Sequence, residues 1–197
     1  IRPKDLRSNA HILAPAITKM INLSLTEAKI PKLMKTAVVR PIHKSGCESS
    51  YDNYRPISIL PALEKVMEEV MVRRLTSFLN RYKIINCNQY GFQKGKNINQ
   101  LLGHFSTFIN NCLEKKRHCL ALFIDFSKAF DTLSHEKLLN VLKRYGICGK
   151  CLEWFPDYLK NRSYCVKIGE KTSIIEKVRS GVPQGSKLGT EIPPLCN

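Results

Sequence analysis

The sequence predicts an α+β fold, and three observations predict it. Apolar residues recur at helical spacing in several separate stretches, two strand-like segments stand together near residue 50, and residues 119–124 form an unbroken apolar run. Helices and strands follow one another without a strict β-α-β repeat, which argues against a doubly wound parallel sheet. The chain has 197 residues, 43% of them apolar, enough to bury a core. Its longest apolar runs are too short to span a bilayer, so no membrane partner is expected. Ile1 to Asp5 lead into an amphipathic stretch and not into an apolar leader.

Taken in order, residues 11–26 carry Ile12, Leu13, Ala16, Ile17, Met20, Ile21, Leu23 and Leu25 at helical spacing. After Pro31, Ala37 to His43 reads as a strand and Tyr54 to Leu60 as a second extended segment, with a polar loop between them. Together they predict a basic hairpin bearing Lys35, Arg40, Lys44 and Arg55. Pro61 opens a long helix whose stripe of Leu63, Val66, Met67, Val70, Met71, Leu75, Phe78 and Leu79 is accounted for by core packing. A Gly-, Lys- and Asn-rich loop covers Asn86 to Asn99. A helix then runs from about Ile98 to Glu114, followed by Lys115-Lys116-Arg117, where cations suit the helix dipole. Cys119 to Ile124 reads as a buried strand ending in Asp125. Two more helices, His135 to Tyr145 and Cys151 to Lys160, precede a hairpin of Tyr164–Ile168 with Ser173–Val178.

Lys and Arg exceed Asp and Glu by 32 to 16, a net charge of +16 spread through the chain with a bias to its N-terminal half. A folded domain this basic points to a polyanion, nucleic acid first. Several of the eight cysteines sit inside apolar or helical patterns, and with no secretory leader they read as reduced thiols. That implies an intracellular setting, nucleus or cytoplasm alike. Cys148-Gly149-Lys150-Cys151 has the spacing of a zinc or redox pair, but no second pair accompanies it, so zinc is not expected.

Asp125 is the first candidate for chemistry. A carboxylate at the end of a buried strand is costly to desolvate unless a helix end, a lysine or a divalent cation such as Mg2+ meets it. Asp131 reads as a turn or N-cap residue, Lys128 as a phosphate contact or ion-pair partner, and His135 as a helix-start residue. In Gly181-Val182-Pro183-Gln184-Gly185-Ser186, glycines free the backbone on both sides of a rigid proline, and Gln184 can both donate and accept hydrogen bonds. Such a loop is also an ordinary turn. There is no Gly-x4-Gly-Lys-Ser/Thr and no Gly-x-Ser-x-Gly, which disfavours a phosphate-loop ATPase and a hydrolase elbow.

The order of five blocks is more specific than any one of them: Lys-Thr-Ala-Val-Val-Arg-Pro-Ile-His-Lys at 35–44, Asn-Tyr-Arg-Pro-Ile-Ser-Ile-Leu-Pro at 53–61, Gln-Tyr-Gly-Phe-Gln-Lys-Gly at 89–95, Phe-Ile-Asp-Phe-Ser-Lys-Ala-Phe-Asp at 123–131 and Gly-Val-Pro-Gln-Gly-Ser-Lys-Leu-Gly at 181–189. Over residues 10–189 the chain resembles the reverse transcriptase of non-LTR, jockey-like retrotransposons. The resemblance implies a right-hand polymerase, with a fingers-like region at 1–118, a partial palm at 119–189 and an aberrant tail at 190–197. It implies an RNA template, a DNA primer and a dNTP as partners, and two Mg2+ ions. Asp125 would be the first metal carboxylate and the Phe126 carbonyl a further ligand. Lys44 and Arg55 would grip the triphosphate, Phe130 would sense the sugar 2′-OH, and Gln184 and Gly185 would pack by the template base and the dNTP. Lys94 and Lys96 in the basic loop would touch nucleic acid.

The chain also departs from that pattern. Where the family continues after Gly189 toward a strand turn with paired aspartates, Thr190 to Asn197 follow, and no Asp-Asp pair occurs anywhere. Phe92-Gln93 stands where relatives often have Phe-Arg, and Glu64 where Ser is usual. The expectation is a truncated polymerase fragment that is inactive alone. The alternatives are a catalytically dead nucleic-acid-binding remnant and a non-functional gene-model fragment.

Overall fold

The computed structural model describes residues 1–125 and 129–191. Two N-terminal helices, α1 (Pro3–Ser8) and α2 (Ala10–Glu27), lead to strand β1 (Thr36–His43), which turns back as β2 (Tyr54–Ile59). Helices α3 (Ala62–Arg81) and α4 (Ile98–Glu114) follow, then the short α5 (Ala129–Thr132), α6 (His135–Arg144) and α7 (Gly149–Leu159). Strands β3 (Ser163–Ile168), β4 (Lys171–Thr172) and β5 (Glu176–Lys177) precede a last helix, α8 (Lys187–Glu191). The mixture of helix and sheet agrees with the α+β expectation. No helix among the described residues is long and apolar enough to cross a membrane, and the seven described cysteines are free.

The sheet is built around β1. β2 pairs with it antiparallel, Arg40 opposite Ile57 and Ile42 opposite Arg55. On its other side β3 runs parallel, Thr36 opposite Ser163 through Val39 opposite Val166. β5 and β4 take the far edge of β3. The second arm of the C-terminal hairpin is thus two short pieces, because Ser173 leaves the ladder: its amide and hydroxyl both bond Val166.

One apolar core forms under the sheet. Met67, Met71, Leu75 and Leu79 of α3 meet Leu138 and Leu142 of α6 and Trp154, Phe155, Tyr158 and Leu159 of α7, with Ile21 of α2 at the rim. Tyr158 stacks on Trp154 with centroids 5.2 Å apart, and the Trp154 indole N–H donates to Ser24 Oγ at 3.1 Å. The predicted stripe on α3 is the buried one. Its helix ends where Lys83 takes a left-handed φ of 52° and the Ile84 amide reaches back to the Leu79 carbonyl.

Four carboxylate or cationic side chains lie inside this core. Arg162 donates to Glu64 Oε1 at 2.5 Å and to the Tyr158 carbonyl at 3.1 Å, its guanidinium 5.0 Å above the Tyr158 ring. Glu68, one turn along α3 from Glu64, accepts from the Tyr158 hydroxyl at 2.5 Å. Lys35 bonds Asp157 Oδ2 at 2.9 Å and its carbonyl at 2.7 Å. This corrects the expectation for Lys35: it is no surface cation of the hairpin, because the turn at 32–34 aims it back at the C-terminal half of α7.

A second correction concerns residues 119–124. They form no strand and are not buried: Leu120 is 96% exposed, Leu122 and Phe123 82%, and Ile124 72%. An apolar run becomes a strand only beside a partner. β1 is flanked on both sides, and the far edge of β3 is taken by β4 and β5. The run lies instead near α4, whose Phe105 meets Phe123 edge-on at 5.9 Å. Helix α4 begins in a reciprocal cap between Asn97 and Gln100 yet buries none of its residues.

Burial pushes the Glu64 carboxyl up to about 7, against the pull of the Arg162 guanidinium. Burial likewise raises Glu68. Between its ordinary 4.5 and about 7, Glu64 in the folded chain holds a proton that the unfolded chain has released. Its contribution to stability is therefore full below the lower value and lost as pH rises through the upper one. Denaturant midpoints measured across that window are expected to fall with rising pH, and Glu64→Gln, which keeps an acceptor for Arg162 but cannot ionise, is expected to flatten part of the slope.

Candidate functional site

Residues 180–189 gather three parts of the molecule. At the start of this loop the Gly181 amide donates to the Leu133 carbonyl at 3.1 Å and the Val182 amide to the Phe130 carbonyl at 2.8 Å. Ser180 Oγ donates to the Asp131 carbonyl at 3.0 Å, and a ring N–H of His135 to the Gly181 carbonyl at 2.7 Å. At its middle, the Gln184 carbonyl accepts from the Ser58 amide on the outer edge of β2 at 2.7 Å. At its end the Lys187 amide donates to Glu68 Oε2 on α3 at 3.1 Å. The loop is therefore fastened to α5, β2 and α3 together.

Two of its glycines are needed for this. Gly181 has φ +79°, and a Cβ there would lie 2.5 Å from the Phe130 carbonyl oxygen and 2.7 Å from that of Asp131. Gly185 has φ +112°, and a Cβ would lie 3.1 Å from the Ser58 carbonyl oxygen. Pro183 between them shortens the set of backbones the loop can sample.

The hairpin supplies positive charge beside the loop. Opposed residues of an antiparallel pair share a face, so Arg40, Ile42, Arg55 and Ile57 lie on one side of β1–β2. The Lys44 amide continues the pairing to the Asn53 carbonyl at 2.8 Å, which carries Lys44 to the same side. Ala37 and Val39 occupy the buried side. Lys44, Arg55 and Arg40 are all exposed, and a Cβ on Gly185 would touch the Ile57 side chain at 3.6 Å. Lys44 and Arg55 thus share a face of the hairpin, and Gln184 and Gly185 meet the edge of β2 at Ser58 and Ile57.

Phe130 is joined to the same loop through its carbonyl, while its ring is half-buried against the core. Gln184 is half-buried, and its Oε1 is buried without a hydrogen-bond partner among the described residues. An acceptor in that state calls for a donor. The basic loop at 86–99 divides. Lys94 is exposed, whereas Lys96 turns inward onto the carbonyls of Cys87 and Gln89, the latter at 3.0 Å, with Tyr90 5.0 Å beneath it. Its ammonium orders the loop before it can meet any ligand.

Asp125 is exposed at the end of the unpaired run, and no described contact ties it to Lys44, Arg55 or Gln184. Phe126 and Lys128 lie outside the described residues, as do residues 192–197 of the tail. Among the described residues no group of three or more His, Cys, Asp and Glu side chains could hold a metal ion. With Phe126 outside them, the described residues alone do not assemble a seat for two Mg2+ ions. Among the described residues Cys148 and Cys151 belong to no such group.

Three residues that tie the site together carry no motif. His135, read as a helix-start residue, holds Gly181. Glu64 and Glu68 hold α7 and the loop, and they line up with Met71 and Leu75 on the buried face of α3. Carboxylates in register with an apolar stripe were the available signal.

Because its missing Cβ has backbone atoms on two sides and its φ is positive, Gly181→Ala is expected to cost about 3 kcal/mol. It should also loosen the Val182–Phe130 bond. Urea unfolding and amide exchange at Val182 check the two effects.

The model of the family described as reverse transcriptase (RNA-dependent DNA polymerase) matches residues 42–193. The chain is 34% identical over 166 residues to the probable RNA-directed DNA polymerase from transposon BS of Drosophila melanogaster, covering 81% of this chain and 18% of that protein. It is 32% identical over 179 residues to the RNA-directed DNA polymerase from mobile element jockey of the same organism, covering 86% and 19%. It is 26% identical over 171 residues to the Pol polyprotein from retrotransposable element R2 of Popillia japonica, covering 85% and 23%. The chain spans about a fifth of the length of these relatives. The second hairpin block at 53–61, Asp125 and the Gln184 loop fall inside the matched span, and the chain belongs to the reverse transcriptase family, among the polymerases of non-LTR mobile elements.

Proposed function

We propose that this chain is the fingers and part of the palm of a right-hand RNA-directed DNA polymerase, whose reaction adds dNMPs from dNTPs to a primer 3′-OH on an RNA template. The observation that carries the reading is the loop at 180–189, bonded at once to the Phe130 carbonyl and to β2 beside Arg55. That arrangement suits one ligand bearing phosphates, a sugar and a base. Lys44 and Arg55 neutralise the triphosphate. Phe130 borders the sugar, and Gln184 and Gly185 border the base pair. The family reaction is a two-ion one, for which Asp125 and the Phe126 carbonyl are the proposed ligands. Lys94 is a nucleic-acid contact, and Lys96 acts by shaping its loop.

A second reading, nucleic-acid binding without catalysis, is favoured for residues 1–197 taken alone by the exposed Asp125, which belongs to no metal-holding group of three or more His, Cys, Asp and Glu side chains among the described residues. Primer extension separates the two. No dNTP incorporation is expected from the 197-residue chain on a primed RNA template with Mg2+ or Mn2+, and incorporation is expected when the downstream palm and thumb of a relative follow Gly189. In that chimera Phe130→Val should relax discrimination against ribonucleotides, read as a ratio of kcat/KM values, with dNTP use mostly kept. Incorporation by the 197-residue chain that Asp125→Ala abolishes would overturn the two-carboxylate argument.

The charge makes a separate prediction. Engaging roughly six phosphates gives a log–log salt slope near −5 on duplex DNA. Arg55→Ala is expected to weaken binding equally across sequences and to reduce the slope by about 1. Fluorescence anisotropy over a salt series measures both, and tight binding without salt dependence would count against a phosphate-dominated mode.

A further inference from the structure

Glu68 is a carboxylate 1% exposed inside a helical core. Burial raises its affinity for a proton, while hydrogen bonds from Tyr158 and from the Lys187 amide oppose that rise. A buried carboxylate is an expensive way to fill space. This one uses both oxygens on groups that lead to the same place. Oε1 accepts from Tyr158 at 2.5 Å, and that hydroxyl also lies 3.3 Å from Ser186 Oγ. Oε2 accepts from the Lys187 amide at 3.1 Å. Ser186 Oγ in turn accepts from the Gly189 amide at 2.7 Å. Ser186 and Leu188 are both buried, while Gly185 between Gln184 and this anchor is exposed.

The connection is short. Lys187 is three residues from Gln184, whose other side is held by the Ser58 amide and by the bonds of Gly181 to Leu133 and of Val182 to Phe130. Glu68 touches neither the hairpin cations nor Phe130 in any described contact. Its effect on ligands must therefore pass through the backbone of 184–187. Water could replace a lost partner at the surface, but not here, where Tyr158 is 0% and Ser186 1% exposed.

We propose that Glu68 is a positioning residue for this polymerase domain: from inside the α3–α7 packing its two oxygens fix Ser186 and Lys187 and so hold Gln184 and Gly185 against β2. The proposal rests on the reading of that loop as a nucleotide contact only for its functional consequence. The hold itself is a statement about the loop.

The experiment uses the 197-residue chain. Amide hydrogen exchange is followed at Ser58, Lys187 and Gly189, with Leu142 in α6 as the core reference. Photo-crosslinking of 8-azido-dATP is measured alongside. Glu68→Met, close in shape but without acceptors, is expected to speed exchange at the three loop-linked amides at least tenfold, with Leu142 within about twofold of the parent. Crosslinking should fall severalfold. Glu68→Gln, whose oxygen can take the Lys187 amide and whose NH2 can donate to Tyr158, is expected to stay within about threefold of the parent at all sites. A merely space-filling Glu68 would leave the loop amides unchanged in Glu68→Met, and that result overturns the proposal. If Glu68→Met does not fold, Tyr158→Phe decides through the Ser186 arm, since it removes the hydroxyl between Glu68 Oε1 and Ser186 and leaves Oε2 on the Lys187 amide: faster exchange at Gly189 supports the hold and unchanged exchange there overturns it. Loop release with undiminished crosslinking upholds the hold by Glu68 and overturns the loop's role as a nucleotide contact.

Discussion

A guanidinium with almost no access to water must find hydrogen-bond acceptors, and much of this fold is arranged around that demand. Arg162 stands at the junction of α7 and β3, where the chain leaves the helical layer and enters the sheet. It meets Glu64 from α3, closes over the ring and carbonyl of Tyr158, and accepts the Val178 amide on its own carbonyl. One residue therefore ties the long helix, the C-terminal half of α7 and the strand that pairs with β1. Removing one member of such a pair leaves an uncompensated charge, which costs about 3–5 kcal/mol. The neighbouring Glu68 extends the same polar seam to the loop at 180–189, so packing and candidate site share one network.

Three of the helices read from the sequence carry their own punctuation. Pro61 before α3, Asn97 with Gln100 at α4 and Ser134 at α6 mark starts, and positive-φ residues such as Lys83 and Gly146 mark ends. The basic hairpin was legible for a similar reason: two β-rich runs with a short polar loop between them. The run at 119–124 was misread because pattern reports what a segment would do beside a partner and not whether one stands there. Its composition suits a buried strand, and in the fold it lies exposed against α4. The parallel pairing of β1 with β3 joins segments some 120 residues apart, a distance over which no local spacing speaks.

For the candidate site, motif residues and supporting residues separated cleanly. Lys44, Arg55, Gln184 and Gly185 could be named from ordered blocks; in the fold the two cations share a face of the hairpin, and the other two meet the edge of β2 at Ser58 and Ile57. Lys35 and Lys96 show the opposite limit. Composition counts both as cations available to a ligand, yet one is buried on Asp157 and the other is bent onto backbone carbonyls. A formal charge states how many cations exist and leaves open which are already engaged. His135 and Glu68 escaped for a related reason, since a polar group that acts on a distant loop leaves no periodic trace near itself.

The bond between Ser58 and Gln184 has a consequence for what can approach the sheet. β2 is an edge strand, and every second amide along it points outward. Tyr54 spends its amide on the Tyr51 carbonyl, Pro56 has none, and Ser58 gives its own to Gln184. None of these three outward positions offers a free donor. A flat edge with free amides would template the addition of another strand, from this chain or a neighbour. Here the backbone offers no such invitation, so anything that docks along β2 is read by Arg55 and its side-chain neighbours. Another polypeptide cannot simply zip onto this face.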